Sequence, residues 1–543
     1  MARPLPRTLP RWMVIFCAVL WIVIGLFGRE PYKPDEAYTV GLVKSVVDSG
    51  DWVVPQLAGE PFMEKPPLFF DVAALFARAL PWLPLHEAAR FAVVLFDAVG
   101  LLAIAACARA VHGKGSGRLA ILLTLATLGT VVRMHQLITD TAQFAGVAMA
   151  LLGLVYAQKR PALGGVLLGI GLAIAFLSKG LLGPGLIVCT ALALLAFPPW
   201  RQPSAGKAFA LAALVAVPLA ACWLVPLAMR APDQFQVWFY DNNLGRFFGL
   251  NSLGPKKDLL FYARLLPWYA LPCWPLLVWG VVRAARDGPK GEDRFRAAPP
   301  WVFTGVGIAA LTLASDGREL YALVLVPALA VAATGGLLSV PVRVERWLAI
   351  VVAALMLMLS IAGFGVWVVA MRTPEMTATL PAMVALPSMV APSRAAMLAF
   401  VLVVLSVASM LAALRQPMRG TLPLAGAAGV LLLWASVVLP WGSYLDALKG
   451  YRPVALALAR HLPEANCVAS VRLGEGERAL LDYFIGLRTQ RVETQASAQR
   501  CNALLVQASS GSTADVGPPW RLWWEGARGG IGFDTSVLRL YVR

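Results

Sequence analysis

The chain has 543 residues, of which 59% are hydrophobic and only 14% are charged. Soluble domains carry roughly 25% charged residues, so this composition excludes an ordinary soluble protein and predicts a polytopic membrane protein. The net charge of +17 does not indicate nucleic-acid binding. Most lysines and arginines stand in short loops between apolar runs, as the positive-inside rule requires.

The first apolar run follows three arginines, Arg3, Arg7 and Arg11, and no small-residue cleavage site appears before Tyr32. This pattern is typical of a signal anchor whose N-terminus stays in the cytoplasm. Basic loops then alternate regularly between apolar runs. At about 20 apolar residues per helix, the sequence predicts about thirteen spans, near 11–28, 88–111, 117–134, 139–157, 161–178, 181–199, 208–229, 264–282, 300–315, 321–340, 346–370, 394–414 and 421–440.

The spans divide the chain into a membrane domain over 1–440 and a soluble domain over 441–543. The membrane domain has two long external loops, at 29–87 and 230–262. After Trp441 charges increase and apolar runs shorten, which predicts a small α/β domain. We expect strands over 467–471, 503–506, 520–524 and 537–542, and a helix over 475–486.

An odd number of spans puts the C-terminal domain outside the cytoplasm, in an oxidising compartment. Pairing of Cys467 with Cys501 is chemically feasible there, and the sequence leaves the question open. The four histidines are scattered and no Cys-x-x-Cys motif is present, so the sequence predicts no zinc site.

Acidic residues are concentrated at the external ends of the predicted helices. Asp35, Glu36 and Glu64 lie in the first loop, and Asp140 begins a span. An ionisable residue at a bundle end is a functional hypothesis by default, and we interpret Asp35, Glu36 and Asp140 as catalytic acids. For Asp35 the competing interpretation is a helix N-cap, because it follows Pro34 and precedes a helix-like stretch.

Several cations also fall on the predicted external side, where the positive-inside rule disfavours them. A bound lipid phosphate would explain them, because Lys or Arg stabilises the charge that develops on a leaving phosphate. The competing interpretation is that they reach towards lipid headgroups. The cations that we assign to a phosphate site are Lys65, Lys179, Arg246 and Arg318.

The second external loop places Asn242 and Asn243 among aromatic residues. Aromatic residues at a membrane edge usually form an interfacial belt. Aromatic faces and amides also suit sugar binding, and the Asn pair favours that interpretation modestly.

Three motifs of the first loop resemble the bacterial lipid A aminoarabinose transferase and protein O-mannosyltransferase-like family. They are Pro34-Asp35-Glu36-Ala37-Tyr38, Ser49-Gly50-Asp51-Trp52-Val53-Val54-Pro55 and Glu64-Lys65-Pro66-Pro67. Further motifs in the family's order are Thr139-Asp140, Phe176-Leu177-Ser178-Lys179-Gly180 and Arg318-Glu319-Leu320-Tyr321. The likeness covers the membrane region and is strongest over 30–185.

The resemblance implies the GT-C fold, which is a mainly α membrane bundle with two short external helices in the first loop and a periplasmic domain. It implies that Asp35 is the catalytic acid, that Asp140 is a second acid nearby, and that Lys65, Arg246 and Tyr321 hold the lipid phosphate. Tyr38 stands where the aminoarabinose branch usually has Arg, and we group Tyr38 with Glu64, Asn242 and Asn243 as substrate-binding residues.

The predicted function is transfer of a sugar from a polyprenyl phosphate donor to an envelope glycolipid, glycan or protein acceptor at the periplasmic face of the bacterial inner membrane. No cofactor is required by this scheme, and a divalent metal is left open. The alternatives are a protein O-mannosyltransferase-like enzyme and a lipid or oligosaccharide transporter. A transporter predicts charges near the bilayer midplane and internal repeats, and neither feature is visible in the sequence.

Overall fold

The structure is a computed structural model that describes residues 9–250, 255–287, 297–372, 393–415, 418–464, 466–509, 516–528 and 536–543. Arg3 and Arg7, and most of the predicted basic loop at 283–296, lie outside these ranges. The described helices are α1 Arg11–Val23, α2 Asp35–Ser49, α3 Leu68–Ala79, α4 Leu85–Ala89, α5 Phe91–His112, α6 Ser116–Ala126, α7 Leu128–Arg133, α8 Thr139–Tyr156, α9 Pro161–Lys179, α10 Leu182–Leu194, α11 Pro203–Arg230, α12 Pro232–Gln236, α13 Arg246–Phe248, α14 Phe261–Tyr269, α15 Cys273–Asp287, α16 Ala298–Leu313, α17 Val326–Ser339, α18 Val342–Arg372, α19 Arg394–Leu411, α20 Thr421–Val438, α21 Gly442–Lys449, α22 Arg452–Ala459 and α23 Glu475–Ile485.

Seven helical segments in these ranges are long and apolar enough to cross a membrane, so the chain is a multi-pass membrane protein. An eighth candidate is the pair α14 and α15, which meet at 100°. Pro272 stands between them, and proline cannot continue a helix because it lacks the N–H and its ring clashes with the preceding turn. Four further apolar helices are shorter, namely α1, α6, α10 and α16. The count of about thirteen spans therefore stays a prediction.

Several predicted spans are interrupted. The span near 117–134 is divided at Thr127 into α6 and α7, and the span near 321–340 opens with a 3-10 segment, Glu319–Leu325, before α17. Other irregular turns are the π-helical segment Val237–Gly245 and the 3-10 segments Pro198–Arg201, Ala412–Arg415 and Ala496–Arg500. Two of these breaks are buried, because Thr127 and residues 322–325 are at most 2% exposed.

The first external loop is a folded unit. After Pro34, α2 runs for 15 residues and ends at Gly50, whose φ of +70° and N–H bond to the Val46 carbonyl (3.0 Å) close the helix. A two-stranded antiparallel hairpin follows, with β1 Gln56–Leu57 and β2 Glu60–Pro61, and then α3. At 15 and 12 residues, α2 and α3 are longer than the two short helices that the resemblance implied.

The C-terminal region contains a five-stranded mixed sheet of order β4-β3-β5-β7-β6. The predicted strands and helix are confirmed, with small shifts of their ends, and β4 and the helices α21 and α22 were missed. β3 is parallel to β4 and β5, whereas β7 is antiparallel to β5 and β6. The strands are β3 Val468–Val471, β4 Gln490–Arg491, β5 Ala503–Ser509, β6 Arg521–Ala527 and β7 Ser536–Val542.

The two faces of this sheet bury different side chains, because neighbouring strand residues point to opposite sides. Leu505 and Leu540 pack towards α22 and α23, while Leu504 and Tyr541 pack on the other face with Cys501. The Cys467 and Cys501 sulfur atoms are bonded to each other, so the structure contains the disulfide that the sequence left open. The division of the chain at residue 440 stays a prediction.

The sheet unit packs directly on the first external loop. Ala37 of α2 belongs to the same buried cluster as Leu480 and Leu481 of α23. The carboxylate of Glu60, in the hairpin, accepts hydrogen bonds from Arg478 at 2.9 Å and from Arg491 at 3.2 Å. The start of α2 is therefore held on one side by the C-terminal sheet unit.

Candidate active site

A cavity of about 330 Å³ lies where the first loop, the second loop and the 315–321 segment meet. One end of this cavity is lined by three carboxylates and four cations, and the other end is lined by apolar side chains. We call it the donor cavity. Its charged and polar lining residues are Asp35, Glu64, Lys65, Lys179, Asn242, Asn243, Arg246, Asp316, Arg318 and Tyr321.

Asp35 stands in the first turn of α2 and is 9% exposed. Its side chain caps no backbone N–H, so the capping interpretation is wrong. Instead, the Asp35 Oδ1 atom accepts a hydrogen bond of 2.8 Å from the Tyr38 hydroxyl. The positive end of the α2 dipole favours a negative charge at this position. Asp35 is thus a carboxylate held in place by its neighbour and open to the cavity.

Tyr38 lies behind Asp35 and does not line the cavity. Its buried hydroxyl contacts the Lys65 ammonium as well as Asp35, and the Lys65 Nζ atom lies 4.7 Å from the Tyr38 ring centroid. Burial, followed by the nearby Asp35 carboxylate, raises the pKa of Tyr38 well above its ordinary value. A neutral Tyr38 hydroxyl thus links the acid to the lysine. Tyr38 thus reaches the cavity through Asp35 and Lys65, and its direct contact with substrate stays a prediction.

Glu64 and Arg246 form the next layer of the charged end. The Arg246 guanidinium donates to Glu64 at 2.9 Å and to Asp316 at 3.0 Å. Burial by itself raises the pKa of Glu64, but the charges of Lys65, Arg246 and Arg318 outweigh burial and lower that pKa to about 2. Glu64 is therefore an anion that positions cations, and its predicted role in substrate binding stays a prediction.

Tyr321 completes this layer from the opposite side. Its hydroxyl donates to the Asp316 Oδ2 atom at 2.8 Å, and the Lys179 Nζ atom lies 5.0 Å from its ring centroid. Lys179 itself pairs with Asp140, whose carboxylate is 2% exposed. Asp140 does not line the cavity, so it acts on the site through Lys179.

The cations fall into two groups. Arg246 and Lys179 are engaged by carboxylates. In contrast, Lys65 and Arg318 form no ion pair within the described ranges, although Lys65 is only 7% exposed. The Arg318 Nε atom is buried without a hydrogen-bond partner among the described residues. A buried donor without a partner is costly, so Arg318 has capacity for an anionic ligand. Lys65 has it as well, because the hydrogen-bond partner of its ammonium among the described residues is the neutral Tyr38 hydroxyl and not a carboxylate.

The two asparagines have different surroundings. The Asn243 Oδ1 atom accepts from the Leu181 N–H at 3.1 Å and its amide donates to the Trp238 carbonyl at 2.7 Å, so Asn243 holds the turn that follows Lys179. Within the described ranges, the Asn242 amide makes only long contacts, of 3.3 and 3.4 Å, to the Met63 and Val237 carbonyls. Asn242 is the better placed of the two to exchange its contacts for a ligand.

The buried position of Glu36 outside the cavity disagrees with its predicted catalytic role. Glu36 is 1% exposed, lies outside the cavity and receives two bonds from Arg29, at 2.6 and 2.7 Å, and one from the Leu137 N–H at 3.0 Å. Its two oxygens are engaged, so Glu36 has a structural function that joins the start of α2 to the bundle.

The apolar end of the donor cavity runs between α10 and α16. It is lined by Leu182, Gly185 and Leu186 on α10, and by Ala310, Leu311 and Ala314 at the end of α16. Val188, Leu192 and Leu313 nearby are exposed. The cavity therefore joins a charged end to an apolar groove that faces the surroundings of the helical bundle.

Sequence reasoning missed Asp316 and the groove. Asp316 accepts from both Arg246 and Tyr321, and its position two residues before Arg318 in a short external segment is the signal that could have revealed it. The groove residues had no such signal, because apolar residues in apolar helices are ordinary core or lipid-facing positions.

Residues 64–225 match the family described as dolichyl-phosphate-mannose-protein mannosyltransferase. The undecaprenyl phosphate-alpha-4-amino-4-deoxy-L-arabinose arabinosyl transferase of Edwardsiella ictaluri is 28% identical over 289 residues, which are 50% of this chain and 49% of the relative. The protein of the same description from Serratia proteamaculans is 28% identical over 294 residues, 52% of this chain and 51% of the relative. The chain thus spans about half the length of the curated relatives it matches.

The fold is shared over nearly the whole chain with solved structures. The crystal structure of ArnT from Cupriavidus metallidurans bound to undecaprenyl phosphate superposes with a TM-score of 0.68 at 17% sequence identity, covering 97% of both chains. The apo structure of the same protein gives a TM-score of 0.68 at 18% identity, also with 97% of each chain covered. These structures show that the chain shares the fold of ArnT, and the sequence comparisons show that about half of it is similar to aminoarabinose transferases.

Proposed function

We propose that this protein is a membrane glycosyltransferase that moves a sugar from a polyprenyl phosphate donor to an acceptor hydroxyl or phosphate. The observation that carries the proposal is the continuity of the donor cavity. At one end lie Lys65 and Arg318, which have no carboxylate partner among the described residues, and the hydrogen-bonded Asp35 carboxylate. The same cavity continues into the apolar groove at its other end. A ligand that combines a phosphate, a sugar and a long hydrocarbon chain matches this sequence of surfaces.

In this proposal the lipid tail lies between α10 and α16, and the phosphate contacts Lys65 and Arg318. Arg246 and Lys179 support these cations from behind, each held by a carboxylate. Fixed cations aimed at a leaving phosphate stabilise the negative charge that develops there, without reorganisation during the reaction. Names of the curated relatives support an undecaprenyl phosphate sugar as the donor.

The reaction breaks the bond between the sugar C1 atom and the phosphate oxygen, and forms a bond between C1 and the acceptor oxygen, with inversion at C1. The phosphate leaves with the bonding electron pair, as polyprenyl phosphate. The acceptor hydroxyl loses its proton to Asp35, which acts as general base. The hydrogen bond from Tyr38 keeps the Asp35 carboxylate oriented throughout.

The proposed setting is the bacterial inner membrane, with the donor cavity and the C-terminal sheet unit on the periplasmic side and the N-terminus in the cytoplasm. The proposed acceptor is lipid A or another envelope glycan. A protein hydroxyl is the second candidate, which the family match over 64–225 supports. Mass spectrometry of envelope lipids and proteins from cells lacking this chain distinguishes them by which class loses a sugar.

The proposal predicts that Asp35→Asn lowers the turnover number at least about a hundredfold, the usual contribution of a positioned general base. Transfer is measured with purified protein in lipid nanodiscs, from labelled undecaprenyl phosphate sugar. The matched control is Asp48→Asn, at the exposed other end of the same helix, which should retain wild-type activity. Near-normal turnover of Asp35→Asn would remove Asp35 from the chemistry.

A further inference from the structure

A second cavity lies at the far end of the helical bundle, away from the donor cavity. Its volume is about 260 Å³, and it is lined by Arg109 and Ala110 of α5, by Val155 and Tyr156 of α8, and by Lys159 and Arg160 in the turn that follows. We call it the basic pocket.

The basic pocket and the donor cavity are separated by about one membrane thickness. Helix α9, one of the candidate membrane spans, joins them, because Pro161 at its start follows Arg160 of the basic pocket and Lys179 at its end lines the donor cavity. At about 1.5 Å per residue its 19 residues extend over roughly 28 Å. The hydrocarbon core of a bilayer is about 30 Å thick, so the two cavities open at opposite membrane faces.

The three cations of the basic pocket are not neutralised by the protein. Arg109, Lys159 and Arg160 are exposed and form no ion pair within the described ranges. The chain has no acidic residue between Asp97 and Asp140, or between Asp140 and Asp233. Three like charges that share one concave site repel each other, and a bound anion relieves that repulsion.

The residues around the basic pocket favour a lipid over a free ion. The turn is fixed by hydrogen bonds from the Lys159 and Arg160 N–H groups to the Tyr156 carbonyl, at 3.2 and 2.8 Å. The Arg160 guanidinium lies 6.0 Å from the Tyr156 ring centroid. Leu102, seven residues before Arg109 and so on the same face of α5, is 67% exposed. An acyl chain attached to a phosphate at Arg109 would run over Leu102.

We propose that the basic pocket binds the phosphate headgroup of an anionic phospholipid in the leaflet opposite the donor cavity. Cationic side chains bind the phosphodiester, and the apolar walls of Ala110 and Val155 contact the glycerol and the upper acyl chain. Basic pockets between helices on the cytoplasmic side are known to suit such headgroups. This site does not depend on the proposed catalytic function.

The test measures lipid binding by the purified full chain with dioleoyl phosphatidylglycerol and, separately, with dioleoyl phosphatidylcholine in mixed micelles. Each basic residue contributes roughly fivefold in affinity for an anionic surface. We therefore expect Arg109→Gln, Lys159→Gln and Arg160→Gln together to weaken phosphatidylglycerol binding at least about tenfold. Lys159→Gln alone, a turn residue, provides a milder variant with an expected loss of about fivefold.

The matched control replaces three exposed cations of the same predicted face outside the pocket, Lys207→Gln, Arg286→Gln and Arg343→Gln. Saturable binding that prefers phosphatidylglycerol and is lost only in the pocket variants supports the proposal. Equal losses in the control would mean a diffuse positive face, and unchanged binding in both pocket variants would mean no site. Displacement of the lipid by inorganic phosphate at equal concentration would assign the pocket to free phosphate and overturn the lipid proposal.

Discussion

Lys65 and Arg318 differ from the other cations of the donor cavity in having no carboxylate partner among the residues that the structure describes. Hydrogen bonds that involve charged groups contribute about 1.5–3 kcal/mol each, which corresponds to roughly 10- to 100-fold in affinity. We expect Lys65→Gln and Arg318→Gln each to raise the KM for the lipid donor by a factor in this range. The measurement is initial-rate kinetics against donor concentration.

The control for this pair is Lys256→Gln, an exposed lysine of the second external loop. It should leave the donor KM unchanged. Loss of turnover with an unchanged donor KM in Lys65→Gln would argue that Lys65 serves Tyr38 and Asp35 instead of the phosphate. Salt-insensitive donor binding in the wild type would likewise count against an ionic contact.

Asp71 in α3 offers a pH test outside the donor cavity. Burial, and to a smaller extent the charge of Asp51, raises the pKa of Asp71 to about 8, and its Oδ1 atom has no hydrogen-bond partner among the described residues. The folded state therefore binds a proton that the unfolded state has released above about pH 4. Stability contributed by this proton is present at low pH and is lost as the pH rises towards 8.

Asp71→Asn should abolish this dependence. The stability of the variant relative to wild type should increase between pH 5 and pH 8, because the neutral amide carries no cost of ionisation. Thermal unfolding in detergent at several pH values measures this difference in stability. Parallel pH profiles for the two proteins would contradict the assignment of the proton to Asp71.

The residues of the candidate site were partly predictable from the sequence. Asp35 and Lys65 stand out in sequence because ionisable groups are rare at the mouth of an apolar bundle. Glu36 was wrongly grouped with Asp35, because adjacent residues of a helix point about 100° apart and sequence proximity does not mean a shared face. Only the placement of Arg29 and Leu137 shows that Glu36 faces the bundle.

The helices α10 and α16 form the apolar half of the donor cavity. Gly185 of α10 lines the groove, and a Cβ atom added there would meet nothing within 4 Å. A large side chain at this position would occupy the groove without a clash in the helix. It would also remove a glycine from a helix interior, where glycine costs up to about 1 kcal/mol relative to alanine.

We therefore expect Gly185→Phe to raise the donor KM at least about tenfold, since about 2 kcal/mol of apolar contact with the lipid chain is displaced, while thermal stability is retained. Gly305→Phe is the matched control, because Gly305 is exposed on α16, has equally open space and does not line the cavity. Normal donor binding by Gly185→Phe would remove the lipid tail from this groove.

The positions of helices and strands were more predictable than the bends that interrupt the helices. Strands β5 and β7 follow from short apolar runs, and most helices follow from apolar runs of spanning length. The bend between α14 and α15 was not predicted, although Pro272 was visible, because neighbouring helices often accommodate a proline within a span. Packing determines whether a proline ends a span.

At the scale of the molecule, the C-terminal sheet unit supports the start of α2. The Glu477 carboxylate of α23 is 1% exposed and contacts Lys33, Tyr451 (2.9 Å) and Gln507 (2.9 Å). Lys33 is two residues before Asp35. This contact transmits the position of the sheet unit to the proposed base.

Glu477→Gln keeps the shape of the side chain and removes its charge. We expect a loss of roughly 1–3 kcal/mol in stability and a fall in turnover of at least about tenfold, since small misplacements of a catalytic group are costly. The donor KM should stay unchanged, because the phosphate contacts are elsewhere. Kinetics and thermal unfolding together measure the two effects.

Glu525→Gln is the corresponding control, because Glu525 pairs with Arg539 on the sheet surface and is 44% exposed. It should leave both turnover and donor KM as in wild type. A Glu477→Gln protein that loses stability but turns over normally would restrict the contact to a structural role.

The sequence by itself determined the membrane class, the strands of the C-terminal unit, and the set of charged residues on one predicted face. These follow from local patterns of apolar and charged residues, because burial of a charge in lipid is costly wherever it occurs. Tertiary structure alone decided which cations are already paired, that Glu36 is structural, and that Asp316 belongs to the site. It also brought α10 and α16 together as a groove and placed Glu477 next to Lys33. Those outcomes depend on contacts between residues far apart in the chain, which no local pattern encodes.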